Sequence, residues 1–105
     1  MNKIIALDFD GTTFKNNFPM IGAPIWDVIN KAIICQKCGD KVVLWTCRTD
    51  EYLDQAIEAA REHGLKYDYI MEDPEWSSNT SRKINATIFV DDKAPGSIEY
   101  FLNEF

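Results

Sequence analysis

The chain has 105 residues, 46% of them hydrophobic and 27% charged, which suits one folded domain and argues against a disordered, collagen-like or disulfide-scaffold protein. Eleven Lys and Arg residues against 17 Asp and Glu residues give a net charge of −6, which argues against a general nucleic-acid binder with a basic face. No apolar run reaches the roughly 18–20 residues of a membrane span, and the N-terminal segment lacks the apolar region of a signal peptide, so we expect a cytoplasmic protein.

Continuous apolar runs that suit buried strands alternate along the chain with apolar residues at helical spacing. Pro24 is a favourable first helical residue, and Gly39 is a favourable residue just past a helix end. Thr49 or Asp50 can cap a second helix that ends at Gly64. The predicted elements, in chain order, are a strand over 3–9, a helix over 24–38, a strand over 41–46, a helix from 49 or 50 to 64, strands over 67–71 and 86–90, and a final helix over 97–105.

This order of elements predicts a single α/β domain over residues 1–105. Strands that alternate with helices form a mostly parallel central sheet, with helices on both faces in a three-layer α/β/α sandwich. Ligands of such folds bind at the carboxyl ends of the strands. We therefore expect the residues that carry chemistry to follow the predicted strands.

Acidic pairs follow two of these strands. Asp8 and Asp10 lie at the end of the first strand, and Asp91 and Asp92 follow the fourth. Four carboxylates at one sheet edge repel one another, and a hard divalent cation such as Mg²⁺ would relieve that repulsion. The pattern therefore predicts a magnesium site at this edge.

Four short motifs resemble, in order and in position, those of the haloacid dehalogenase-like hydrolase superfamily, most of whose members are phosphatases. The first motif is Asp8-Phe9-Asp10-Gly11-Thr12 after the first strand. Thr46 at the end of the second strand matches the second motif, and Lys83 matches the third. Asp91-Asp92 matches the fourth, so that the resemblance extends over residues 4–92 and implies a Rossmann-like core.

The resemblance implies a role for each matched residue. Asp8 would be the nucleophile that forms an aspartyl-phosphate, and Asp10 would act as general acid and then as general base. The backbone carbonyl of Asp10 would also bind Mg²⁺. An aspartate at position 10 favours a phosphatase or phosphotransferase over a dehalogenase, because the dehalogenases of the superfamily lack it. The other implied roles are metal binding by Asp91 and Asp92, and binding of the phosphoryl oxygens by Thr46 and Lys83.

The intervals that carry cap domains in this superfamily are short here, over 13–23 and 72–82. We therefore expect a protein without a cap domain, whose phosphate monoester substrate the sequence does not identify. An uncapped site suits a large substrate, or a neighbouring subunit of a homo-oligomer covers it.

Other residues allow two interpretations each. Arg48 follows Thr46 and could grip a second anionic group of the substrate, or it could pair with Asp50 or Glu51. The choice between these roles stays open at this point.

The cysteines and the single histidine also allow a functional and a structural interpretation. Cys35 and Cys38 form a Cys-x-x-Cys pair that could bind zinc together with Cys47 and His63. Buried or half-buried thiols are the favoured interpretation of the pair, because it falls in the last turn of a predicted helix. His63 near the end of the second helix suits the helix dipole better than it suits catalysis.

Three other functions remain as alternatives to a Mg²⁺-dependent phosphatase. A receiver-like phospho-signalling domain uses similar residues, but it carries its acidic pair after the first strand and its phosphorylated Asp after the third. A catalytically idle relative would keep the fold as a binding protein. A phosphotransferase would differ only in the acceptor of the phosphoryl group.

Overall fold

The computed structural model of the protein describes residues 2–72 and 84–105. These residues form an α/β fold with four strands and three helices. The elements in chain order are β1 (Ile4–Leu7), α1 (Trp26–Lys37), β2 (Lys41–Leu44), α2 (Asp50–Glu62), β3 (Tyr69–Ile70), β4 (Ile88–Val90) and α3 (Ser97–Asn103).

The four strands form one sheet in the order β3-β2-β1-β4, and every neighbouring pair is parallel. β1 lies in the interior of the sheet, where Leu7 pairs with Leu44 on one side and with Val90 on the other. The predicted α/β class and parallel Rossmann-like sheet are therefore confirmed. The register also means that β1, β2 and β4 end at the same level of the sheet.

The apolar core lies on both faces of the sheet, because successive strand residues point to opposite sides. On one face, Ile5 and Leu7 of β1 pack with residues of all three helices, including Ile29 of α1 and Phe101 of α3. On the other face, the buried members of the core are Ile4, Ala6, Val43 and Ile84. In the described part of the chain, the three helices thus share one face, so that the predicted helices on both faces of the sheet are not found within it. Residues 73–83, which precede β4, lie outside that part.

The first helix begins two residues later than predicted. Pro24 is not its first residue, because the chain just before α1 pairs with the segment after β1. Phe14 forms a bridge with Pro24, and the N–H of Ile25 donates to the carbonyl of Thr13 at 2.9 Å. Ile25 therefore keeps a non-helical backbone, and α1 starts at Trp26.

The helix ends agree more closely with the sequence. Gly39 and Gly64 follow α1 and α2 with φ angles of +98° and +90°, a left-handed conformation that glycine adopts without steric cost. Thr49 occupies the N-cap position of α2, but its side chain makes no capping hydrogen bond.

No cap domain is inserted within residues 2–72 or 84–105, where the chain between β1 and α1 is short and irregular. Among these same residues, none of the helices combines the length and the apolar character that crossing a membrane requires.

Candidate functional site

The shared end of β1 and β4 brings two acidic segments together. The N–H of Asp8 donates to the carbonyl of Val90 at 3.0 Å, which extends the strand pairing one residue beyond β1. Asp91 and Asp92 follow Val90 directly. Carboxylates that are about 80 residues apart in the chain therefore meet at one edge because neighbouring parallel strands end there.

A tight turn after β1 turns the chain towards this edge. The carbonyl of Phe9 accepts hydrogen bonds from the N–H groups of Thr13 and Phe14, at 3.0 and 3.1 Å. Gly11 has a φ of +89°, and a Cβ there would lie 2.6 Å from Oδ2 of Asp92. Glycine is therefore needed at this position for the backbone conformation and for the close approach of Asp92.

The buried hydroxyl of Thr12 links the two acidic segments. It lies 2.9 Å from Oδ2 of Asp8 and 3.3 Å from Oδ1 of Asp92, to either of which it can donate. It also accepts a hydrogen bond from the backbone N–H of Asp92 at 2.9 Å. Thr12 thus fixes the relative positions of Asp8 and Asp92, a role that the motif alone did not reveal.

The carboxylates of Asp8, Asp91 and Asp92 form one compact cluster. Each offers an oxygen atom within 4.8 Å of the others, a spacing that could hold a metal ion. Burial raises the pKa of Asp8 from 3.8 to about 7; the Thr12 hydrogen bond opposes this rise, and the negative charge of Asp91 adds to it. A cation bound among these oxygens would offset both the repulsion and the burial, and oxygen ligands of this kind suit Mg²⁺.

The loop that carries Asp91 is held by the first residue of α3. The Ser97 hydroxyl accepts from the backbone N–H of Asp91 at 3.0 Å and donates to its carbonyl at 2.8 Å. The carboxylate of Asp91 accepts from the N–H of Lys93 at 2.9 Å. The acidic pair is therefore oriented by α3 as well as by β4.

Asp10 faces a different partner from the other three aspartates. Both of its carboxylate oxygens accept from the Arg48 guanidinium, Oδ2 from Nε at 2.7 Å and Oδ1 from an Nη at 2.8 Å. Its side chain is not part of the cluster that could hold a metal. The predicted contribution of Asp10 to a metal site is that of its backbone carbonyl, which stays a prediction.

The predicted pairing of Arg48 with Asp50 or Glu51 is wrong. Arg48 pairs with Asp10 instead, because its side chain turns inward and is only 1% exposed. Its remaining N–H groups donate to backbone carbonyls of Pro19, Met20 and Tyr52. The predicted grip on an anionic group of the substrate has no support in this geometry, because all five guanidinium donors already have acceptors.

Thr46 lies at the end of β2, close to both groups of aspartates. It is buried, and its hydroxyl accepts from the backbone N–H of Arg48 at 3.1 Å. An open cavity of about 310 Å³ runs along this edge. Its walls include the predicted residues Asp8, Asp10, Thr46, Arg48, Asp91 and Asp92, together with Asn16, Phe18, Cys47 and Lys93.

A solved structure provides the comparison. The chain is similar to a conserved protein from Bacteroides thetaiotaomicron, with 36% sequence identity and a TM-score of 0.82, over 93% of this chain and 82% of that chain. The chain belongs to the same family as this Bacteroides protein. No protein-family model and no curated protein matches the chain. The similarity to the Bacteroides protein supports the fold and does not indicate an activity.

The predicted phosphate-binding cation Lys83 lies outside the described residues. Lys93 is a cation of the described residues that lines the cavity. It follows the acidic pair directly in the sequence.

Among the described residues, the cysteines and His63 do not form a cluster with the spacing of a zinc site. Cys35 is a residue of α1 that is buried in the core, whereas Cys38 and Cys47 are exposed, and all three are free thiols. Within residues 2–72 and 84–105, the acidic cluster is the group of potential ligands with metal-binding spacing. His63 occupies the C-cap position of α2, near the helix end as predicted, with Nδ1 2.7 Å from the carbonyl of Ala59.

Proposed function

We propose that the protein is a Mg²⁺-dependent phosphohydrolase of the haloacid dehalogenase-like superfamily that acts on a phosphate monoester. The observation that carries the proposal is the cluster of Asp8, Asp91 and Asp92, whose oxygens lie within 4.8 Å of one another on an open cavity. Three like charges at one edge repel one another, and a cation bound among them would relieve that repulsion.

The proposed reaction has two steps, both centred on Asp8. In the first step, a carboxylate oxygen of Asp8 attacks phosphorus, the ester P–O bond breaks, and Asp10, which enters the step in its protonated form, donates its proton to the leaving oxygen. In the second step, Asp10 takes a proton from the water that attacks the phosphoryl group. The bond between phosphorus and Asp8 then breaks, which releases inorganic phosphate and restores both carboxyl groups.

The chain offers further groups for binding the phosphoryl oxygens. Thr46 places a hydroxyl beside the cavity, and Lys83 would add a positive charge there. Mg²⁺ held by Asp8, Asp91 and Asp92 would supply positive charge next to the transferring phosphoryl group. Electrostatic positioning of this kind is most of what phosphoryl transfer requires from a protein.

Hydrolysis of an aryl phosphate tests this function. We expect turnover that requires Mg²⁺ and that falls to the background rate in Asp8→Asn, because the amide neither forms the phosphoenzyme nor completes the metal site. Asp54→Asn is the matched control, since it removes the same charge from the exposed face of α2. It should keep the wild-type rate.

Equal rates in the wild type and in Asp8→Asn would contradict the proposed function. Mg²⁺ binding without turnover on any phosphate monoester would favour the catalytically idle alternative. A phosphotransferase would reveal itself by a phosphorylated alcohol among the products when an alcohol is added. A cytoplasmic location and a homo-oligomeric state remain predictions that this experiment does not address.

A further inference from the structure

Arg48 is a buried cation in direct contact with the proposed acid and base. Its side chain is 1% exposed, and the centre of its guanidinium lies 5.1 Å from the ring centroid of Phe9 and 5.0 Å from that of Phe18. Buried arginines are costly unless their donors are satisfied. The partners of this guanidinium therefore indicate what it does.

Each of the five N–H donors of Arg48 has an acceptor. Two of them form the planar fork to Asp10, at 2.7 and 2.8 Å. The other three reach the carbonyls of Pro19, Met20 and Tyr52, at 3.2, 3.0 and 3.3 Å. No donor is left for an oxygen of the substrate, so that Arg48 acts on the chemistry only through the groups it holds.

The fork fixes the plane and the rotation of the Asp10 carboxyl. A guanidinium that binds both oxygens of a carboxylate imposes its own plane on that group, which a lysine ammonium does not do. The carbonyls of Pro19 and Met20 belong to the irregular segment before α1, and that of Tyr52 belongs to the first turn of α2. Arg48 therefore ties Asp10 to two other parts of the chain.

We propose that Arg48 is a positioning residue, which fixes the orientation of the Asp10 carboxyl at the cavity wall for proton transfer and does not bind the phosphoryl group. This inference rests on the proposed function, in which Asp10 transfers the proton. Proton transfer demands hydrogen-bond distance and direction, so a small rotation of Asp10 lowers the rate of that step specifically.

Leaving groups of different basicity separate this role from phosphoryl binding. The leaving group of dinitrophenyl phosphate departs without a proton, whereas that of phenyl phosphate needs one. In Arg48→Lys, we expect kcat/KM for phenyl phosphate to fall by about 100-fold, the lower range of a general-acid contribution. The loss for dinitrophenyl phosphate should be far smaller. Arg61→Lys, which changes an exposed arginine paired with Glu58, should leave both values unchanged.

A double variant tests whether Arg48 acts through Asp10. Asp10→Asn should show the same dependence on the leaving group, and adding Arg48→Lys to it should cause no further loss for phenyl phosphate. Thermal melting monitors folding, and Arg48→Gln replaces Arg48→Lys if the lysine variant is unfolded.

Two results would overturn the proposal and are distinguishable. An equal loss of kcat/KM for both esters in Arg48→Lys would mean that Arg48 supports phosphoryl binding or the general structure, and the proposed function would stand. Absence of Asp8-dependent turnover in the wild type would remove the proposed function and the role of Arg48 with it.

Discussion

At Asp8, burial opposes the negative charge of the carboxylate. It is half-buried, it lies beside two other carboxylates, and its pKa is raised from 3.8 to about 7 by burial first and by Asp91 in addition. A cation bound beside Asp8 would favour the charged carboxylate and so would lower this pKa again.

The raised pKa of Asp8 predicts how stability depends on pH. A carboxyl with a higher pKa in the folded state stabilises the fold below its unfolded pKa of about 3.8, and this contribution is lost as the pH rises through about 7. In metal-free buffer, we therefore expect Asp8→Asn to match the wild type in melting temperature near pH 4 and to exceed it near pH 8.

Near pH 8, Mg²⁺ should raise the melting temperature of the wild type above that of Asp8→Asn, because it binds the wild type and releases the proton of Asp8. Melting curves over the pH range, with chelator and with Mg²⁺, measure both effects, and Asp54→Asn is the control for a lost surface charge. A constant difference between Asp8→Asn and the wild type at every pH would contradict the assigned environment of Asp8.

The sequence predicted the aspartates of the site but not all of their partners. Asp8, Asp91 and Asp92 could be found because each follows a recognisable strand. The Thr12 bridge and the Arg48–Asp10 pair could not, since they depend on side-chain directions that only the folded chain defines. Arg48 and Asp10 are 38 residues apart in the sequence.

At the scale of an element, the turn after β1 decides whether the acidic segments can meet. Gly11 has little freedom to change, since a side chain there would meet Asp92. Gly96 before α3 has a similar φ of +81°, but a Cβ at that position would have no atom within 4 Å. A side chain at Gly96 would therefore meet backbone strain alone, whereas a side chain at Gly11 would meet both backbone strain and steric crowding.

Substitution of each glycine by alanine tests the turn. Gly96→Ala should cost about 1–2 kcal/mol in the free energy of unfolding, from the left-handed backbone alone. Gly11→Ala should cost about 1–3 kcal/mol more, because Asp92 must move, and it should also weaken Mg²⁺ binding. Denaturant unfolding and Mg²⁺ titration provide the two measurements. Equal losses of stability, with Mg²⁺ affinity intact, would show that the turn does not position Asp92.

The elements were predictable where one local signal dominated. Apolar periodicity and terminal glycines located α1 and α2 to within a few residues. The start of α1 was misplaced because the pairing of Pro24 with Phe14 is a contact between segments, which overrides the helical preference of proline at a first position. The strands are shorter than their apolar runs, since residues such as Phe9 stay buried after the strand has ended.

At the scale of the molecule, a parallel sheet collects dispersed residues at one edge. The net charge of −6 makes that edge unfavourable for a phosphate anion unless cations compensate it. The similarity to the Bacteroides protein extends over 93% of this chain, so the two proteins share the fold that creates this edge.

Trapping the phosphoenzyme tests the central claim most directly. The protein is mixed with an aryl phosphate and Mg²⁺, quenched with acid within one turnover, and its peptides are analysed by mass spectrometry. We predict a phosphoryl group on Asp8 in the wild type and in Asp54→Asn, and none in Asp8→Asn. Turnover with no phosphoryl group on Asp8, or with the label on another residue, would contradict the account.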